Sequence, residues 1–139
     1  MAALFSEEWM KQYKDAWNNE PEVSGKLAEI GFNSVICYGF KDEEHPRATF
    51  VVENGQCVRA GAWSESDPAP NWDMRADLKD WLKWVADGIS MMGMGTAFAT
   101  GKLKFKAGDY KAILKDPRMA GPFIKNFSLM QQLETDELK

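Results

Sequence analysis

Met91–Asp109 reads MMGMGTAFATGKLKFKAGD, and the rest of the chain is best read outward from it. Its first half is apolar and small, with methionines and glycines followed by Ala97-Phe98-Ala99. Its second half switches to period two, Leu103, Phe105 and Ala107 alternating with Lys102, Lys104 and Lys106. That is the pattern of a strand with one buried and one solvated face. Gly101 punctuates the join, while Gly108-Asp109 ends the strand and can cap a following helix. The expectation is a flexible apolar segment that delivers the chain into a lysine-faced strand, with an amphipathic helix on either side.

Upstream, Leu78, Trp81, Leu82, Val85 and Ile89 recur at helical spacing behind Asp77, a possible cap, and Trp84 widens the stripe. Before it, Trp72, Met74 and Ala76 alternate with Asp73, Arg75 and Asp77, which predicts a strand with one wet face. Phe32–Phe40, Arg47–Glu53 and Gln56–Ser64 are rich in β-branched and aromatic residues, and Asn54-Gly55 between the last two is a strong hairpin signal. These three form a meander, and the proline-bearing loop Glu65–Asn71 lets the chain cross to the sheet's other edge. At the N-terminus, Ser6 caps a helix in which Phe5, Trp9, Tyr13 and Ala16 mark one face. Val23–Ile30 is a short mixed segment ended by Gly31.

Downstream, Asp109 opens a short helix carrying Tyr110, Ile113 and Leu114. Asp116-Pro117 and Gly121-Pro122 each place proline just inside a possible helix start. The last helix shows Phe123, Ile124, Phe127, Met130 and Leu133, and the charged tail from Glu134 is expected to fray.

At 139 residues the chain is expected to form one domain, spanning 1–139. Six Trp, eight Phe and eight Met supply more adaptable apolar volume than a core this size usually needs, so a lined cavity is weighed beside a bulky core. A net charge of −4 leaves no basic footprint for nucleic acid. Two cysteines without metal-ligand spacing, no apolar leader and no window long enough to span a bilayer predict a cytoplasmic protein with reduced, buried thiols.

Catalytic equipment is scarce. His45 is the only histidine and lies in an acidic turn, so neither a zinc triad nor a Ser-His-Asp relay can be assembled. Cys37 has no predicted base beside it, and Arg75 between Asp73 and Asp77 reads as a solvated charge row. No catalytic residue, cofactor or metal is expected.

The run Ala97-Phe98-Ala99-Thr100-Gly101-Lys102-Leu103-Lys104-Phe105-Lys106-Ala107-Gly108-Asp109 resembles the late segment of the sterol carrier protein 2 domain family. That family shows an Ala-Phe pair, a Gly-Lys-Leu-Lys strand and a Gly-Asp turn into a helix. The order of elements extends the resemblance over most of residues 5–133. Ala107, where many members carry glycine, and the Met91–Met94 run are departures. The resemblance implies an α+β fold: a five-stranded, mostly antiparallel sheet in the order 3-2-1-4-5 with helices on one face. It also implies a hydrophobic tunnel between the layers, holding sterols, fatty acids or fatty acyl-CoAs that are carried and not converted. The tunnel wall is carried over to the aligned segments, and stripe and bulk then select Trp81, Leu82, Val85, Ile89, Met91, Met92, Met94, Phe98, Phe105, Phe123 and Phe127.

The expected partner is thus an apolar small molecule, without nucleic acid and with at most peripheral membrane contact. Lys102, Lys104 and Lys106 are either a solvated face or an attraction for anionic surfaces. Two other classes stay open: an accessory subunit of a lipid- or aromatic-metabolising enzyme, using the apolar surface for protein contact, and an enzyme whose chemistry comes from a bound cofactor.

Overall fold

Asn54 and Gly55 take φ of 49° and 81°. Positive φ at both central residues matches the right-handed twist of the flanking strands, so Ala48–Glu53 (β2) and Gln56–Ala62 (β3) pair antiparallel across the turn. A Cβ on Gly55 would lie 2.3 Å from the Ala28 backbone nitrogen, and its carbonyl accepts from Trp17 Nε1 at 2.8 Å. The turn is therefore pressed against the helical layer and admits only glycine there.

The computed structural model describes residues 2–138. Ser34–Phe40 (β1) pairs antiparallel with β2 and parallel with Trp72–Ala76 (β4), and Lys104–Ala107 (β5) adds antiparallel to β4. The order is β3-β2-β1-β4-β5, the α+β arrangement expected. Asn71 fixes the start of the parallel pair, accepting from Val35 N through Oδ1 and donating its own N–H to Val35 O, each at 2.8 Å.

Ile36, Tyr38, Phe50 and Met74 turn one face of the sheet toward the helices. Glu7–Asn18 (α1), capped by Ser6, buries Trp9, Met10, Tyr13 and Trp17. Tyr13 and Trp17 lie 4.8 Å and 5.0 Å from the Phe50 ring. A turn of π-helix, Pro21–Gly25, runs into Lys26–Glu29 (α2). Leu78–Asp87 (α3) is tied to β1 by Trp81 Nε1, which donates to the Gly39 carbonyl at 2.8 Å. Phe5 holds a left-handed φ of 62° and packs against Trp9, Tyr38, Phe40 and Trp81. Such a φ is costly for a bulky residue, and the burial of the ring offsets it.

Four expectations are corrected, the fourth on β4. Met91–Ala99 is a helix (α4), capped by Ser90 Oγ accepting from Gly93 N at 3.0 Å, and not an irregular segment. After Tyr110–Lys115 (α5), the last helix begins at the Asp116-Pro117 site and runs unbroken from Pro117 to Gln131 (α6). Gly121-Pro122 is inside it. The tail is anchored through Leu138: Thr135 bridges Ala2, and its Oγ1 accepts from Trp9 Nε1 at 3.0 Å. Glu137 Oε1 accepts from Leu4 N at 2.9 Å.

The wet face expected for β4 is dry. Arg75 is 1% exposed and Asp73 7%, because the β1–β2 loop folds back over that side of the sheet. The guanidinium grips Asp73 in a fork, Nε to Oδ1 at 2.6 Å and Nη2 to Oδ2 at 3.0 Å, while Nη1 donates to the Glu43 carbonyl at 2.9 Å. A Cβ on the facing Gly39 would crowd Arg75 Cδ at 3.1 Å. Asp77 lies apart from this pair, with its carboxylate 3.8 Å from Lys41 Nζ. A buried pair loses more when one partner is removed than when both become apolar. Arg75→Met is expected to lower the unfolding free energy in urea by about 3–5 kcal/mol, and Asp73→Leu/Arg75→Met to recover most of that loss.

Candidate functional site: an apolar cavity between the layers

Parallel pairing sets Ile36 beside Trp72 and Tyr38 beside Met74 on the helix-facing side of the sheet. These four side chains floor an apolar cavity. Met119, Pro122, Phe123 and Asn126 of α6 roof it with Ile113 of α5, and Trp17, Leu27 and Phe32 close the sides. Its volume is about 40 Å³. Ligand pockets run to roughly 300–1,000 Å³, whereas a cavity of about 10–15 Å³ already admits one water. The layers are closed. Proline has no N–H for the Arg118 carbonyl, so the α6 ladder has a gap beside the cavity.

One corner of the cavity is polar. Tyr13 donates to Asn126 Oδ1 at 2.9 Å and its hydroxyl lies 3.2 Å from that of Tyr38. Asn126 Nδ2 donates to the Phe123 carbonyl. Burial, with mutual repulsion as a smaller cause, pushes the Tyr13 phenol well up; burial raises Tyr38 too, against the opposing hydrogen bond it shares with Tyr13. Both stay neutral and hold their hydrogen bonds through the physiological range.

Of the predicted wall residues only Phe123 lines this cavity, and the others are spread from core to surface. Trp81, Val85, Met94 and Phe127 are buried in the core, where Trp81 and Phe127 stack at 6.5 Å and Trp84 meets both edge-on. Leu82 and Ile89 are half-buried, whereas Met91 and Phe98 are 37% exposed and Met92 83%. Phe123 lines the cavity. Phe105 lies 6.0 Å from Trp72 and 6.5 Å from Phe123, and Phe98 lies 5.9 Å from Phe105. An unbroken file of rings therefore leads from the cavity through Phe105 to Phe98 at the surface.

Most of the cavity lining was legible only as core. The β-branched and aromatic run Phe32–Phe40 marked a strand and the alternation of Trp72, Met74 and Ala76 marked a buried face, without showing that the two strands become neighbours. Tyr110 is a further residue that the sequence pattern did not single out for a polar role. It is 3% exposed and stacks on Phe98 at 4.7 Å, yet its hydroxyl has no hydrogen-bond partner. The oxygen is 3.8 Å from where a Cβ on Gly95 would stand, so α4 lies directly over it.

Nothing reactive is assembled in the cavity. Burial raises the Cys37 thiol to about 11 and the Cys57 thiol to about 12, which leaves both protonated. His45 is exposed and stacks on Trp63 at 4.7 Å. Among the described residues no cluster of three or more histidine, cysteine or acidic side chains is placed to hold a metal, and no helix is long and apolar enough to cross a membrane.

The crystal structure of sterol carrier protein 2 superposes with a TM-score of 0.72 at 18% identity, over 94% of this chain and 99% of that one. This is the sterol carrier protein 2 fold. A conserved hypothetical protein from Thermus thermophilus shares it, with a TM-score of 0.64, 21% identity and coverage of 95% and 90%. The UbiJ-SCP2 ubiquinone synthesis protein does so with 0.53, 12% identity and coverage of 87% and 90%. At the level of sequence, no family model and no curated protein matches. The likeness to these structures is thus one of fold, at 12–21% identity.

An unpaired buried hydroxyl costs about 1–3 kcal/mol. Tyr110→Phe is accordingly expected to raise the urea midpoint of the ligand-free protein, with an unchanged denaturant slope.

Proposed function

We infer that this protein binds an apolar ligand, a fatty acyl chain or sterol-like ring system, between its sheet and helices and carries it without chemical turnover. The observation that carries the reading is the apolar cavity at the β1–β4 seam, continued to the surface by Phe123, Phe105 and Phe98. The shared fold of sterol carrier protein 2 supports it.

A ligand needs roughly ten times the cavity's present volume, so binding separates α5 and α6 from β4 and β5. The missing hydrogen bond at Pro122 and the break between α5 and α6 at Asp116 are where that movement is absorbed. The opened space extends along the aromatic file, which brings Phe98, Phe105, Phe123 and the adjoining Met94 into the wall. Trp81, Leu82, Val85, Ile89 and Phe127 back that wall from the core side, and Met91 and Met92 stand at its mouth. A hydroxyl or carbonyl on the ligand would satisfy Tyr110. The unpaired, buried thiols suit a cytoplasmic carrier.

A second reading comes from the occurrence of the fold in a ubiquinone synthesis protein. On it, this chain is an accessory domain whose apolar surface meets an enzyme. That reading requires a stable hetero-complex and no bound lipid in native mass spectrometry, whereas the carrier reading gives discrete lipid adducts on the monomer.

Titration with a fluorescent fatty acid and a fluorescent sterol tests the carrier. Wild type is expected to bind at least one of them saturably. Phe123→Asp and Phe98→Asp are each expected to weaken binding by tenfold or more, since a carboxylate in an apolar wall costs about 2 kcal/mol or more to bury. Circular dichroism should show both variants folded. No saturable binding by wild type rejects the reading, and equal affinity in all three proteins removes the ligand from this path.

A further inference from the structure

Three polar side chains meet within the apolar layer, one each from α1, β1 and α6. Tyr13, Tyr38 and Asn126 are 0%, 1% and 4% exposed. A phenol has one proton, and Tyr13 donates its own to Asn126 Oδ1 at 2.9 Å. The 3.2 Å contact between the two phenols is then closed by the Tyr38 proton. Asn126 Nδ2 donates one N–H to the Phe123 carbonyl. Among the described residues this leaves two capacities unused: the second N–H of Asn126, a donor, and the Tyr38 oxygen, an acceptor. Tyr13 holds the two side chains no more than about two hydrogen-bond lengths apart, a span that one bridging oxygen covers. Both line the cavity.

The group that matches this pair is a hydroxyl. It accepts one hydrogen bond and donates another, so it fills both capacities, whereas a ketone or ester oxygen fills only the first. An ionised carboxylate or phosphate does not fit, since it needs several donors or a cation. No residue lining the cavity carries a charge, and Trp17 Nε1 is already bound to the Gly55 carbonyl. A buried charge without a partner costs far more than a hydroxyl with two. Lys26, Arg118 and Lys125 lie instead in an open groove that Pro122 also borders, where Glu22 and Glu29 oppose them. Tyr110 offers a second buried hydroxyl, but it is not among the residues lining the cavity and α4 lies over it. The Tyr13–Asn126 bond also ties α6 to α1, so this corner stays closed when α5 and α6 part from β4 and β5.

We propose that the ligand is an uncharged lipid alcohol seated hydroxyl-first, its oxygen bridging Asn126 Nδ2 and the Tyr38 oxygen and its apolar body running out along Phe123, Phe105 and Phe98. The proposal rests on the carrier reading and adds to it the ligand's chemical class and direction. Tyr38 and Asn126 are then the residues that set specificity. Tyr38 selects a group that donates, and Asn126 one that accepts.

Tryptophan emission reports ligand entry, since Trp17 and Trp72 line the cavity. Three ligands of one chain length test the proposal at about pH 8: dodecanol, its methyl ether, which cannot donate, and dodecanoate, which is ionised. Wild type is expected to bind dodecanol about tenfold or more tighter than either of the others. Tyr38→Phe is expected to erase the preference for the alcohol over the ether. Asn126→Leu is expected to weaken both by about tenfold, because each loses the bond it accepts. Circular dichroism checks that both variants fold, and Tyr38→Phe, which keeps the ring, decides the matter if Asn126→Leu does not. Dodecanoate bound as tightly as dodecanol overturns the proposal, as does a preference for the alcohol that persists in Tyr38→Phe. A preference lost in Tyr110→Phe instead turns the ligand end for end, which overturns the proposal and leaves the carrier reading standing. No saturable binding of any of the three ligands rejects the carrier reading and this proposal with it.

Discussion

The aromatic layer between the sheet and the helices is the constraint on which the rest of this structure depends. Phe5 meets Trp9, Tyr38 and Trp81; Tyr13 and Trp17 meet Phe50; Trp84 meets Phe127, which meets Phe123. Large rings bury much area with few rotatable bonds and fix the layer spacing through edge and stacked contacts. Their polar tips are secured at the layer's boundaries: Trp81 to the Gly39 carbonyl, Trp17 to the Gly55 carbonyl and Trp9 to Thr135. Each of these bonds joins a helix to a different part of the chain, so the layer also sets where the helices sit.

The opposite face of the sheet is stabilised by other means. It has loops in place of helices, and a loop brings backbone carbonyls with it. Arg75 satisfies the Glu43 carbonyl and Asp73 together. Asp67 reaches in from the long loop to accept from Thr49 Oγ1 at 2.9 Å and Ser64 N at 2.8 Å, and it also pairs with Arg59. Burial works to raise the Asp67 carboxyl, but hydrogen bonds from Arg59, Ser64 and Thr49 outweigh it and hold the group below the usual carboxylate range. It is therefore ionised at neutral pH. Its contribution is present above the ordinary carboxylate pKa and is lost as pH falls through the depressed value. Ionic groups cover this face because loops alone lack the apolar area to do so.

Those two faces assign different freedoms to the molecule. The β1–β2–β3 half is clamped on both sides, by α1 on one and by the Asp67 contacts to Thr49 and Arg59 on the other. The β4–β5 half is held by α5 and α6, which are interrupted at Asp116 and weakened at Pro122, and by α4, which buries only Met94 and Ala97. Exposing a buried Phe or Met costs about 1.5–3 kcal/mol, and an apolar guest removes most of that cost by taking the place of the lost contacts. A chain that must open to accept a ligand is expected to open at this half. The methionines at Met91, Met92, Met94 and Met119 suit a wall whose shape changes, because an unbranched thioether re-packs with little penalty.

Local periodicity was enough to recover every strand, the hairpin at Asn54-Gly55, the caps at Ser6 and Asp109 and the stripe of α3, because those signals are written within a few residues of each other. The resemblance carried by Ala97–Asp109 supplied the strand order, which no local pattern contains. The sequence by itself thus determined the α+β class and the apolar character of the interior. Three things were decided only in three dimensions. Gly93 and Gly95 argued against a helix over Met91–Ala99, but the Ser90 cap and the burial of Met94 and Ala97 outweigh their low propensity. Asp73 and Arg75 read as solvated, since period two reports that two faces differ without reporting that a distant loop will cover the polar one. And the cavity is lined from β1, β4, α1, α2, α5 and α6, with Phe32 from the turn before β1, so its position follows from the parallel pairing of β1 with β4 across a long crossover. Long-range pairing and loop placement are properties of the whole chain's packing, and a short stretch of sequence cannot encode them alone.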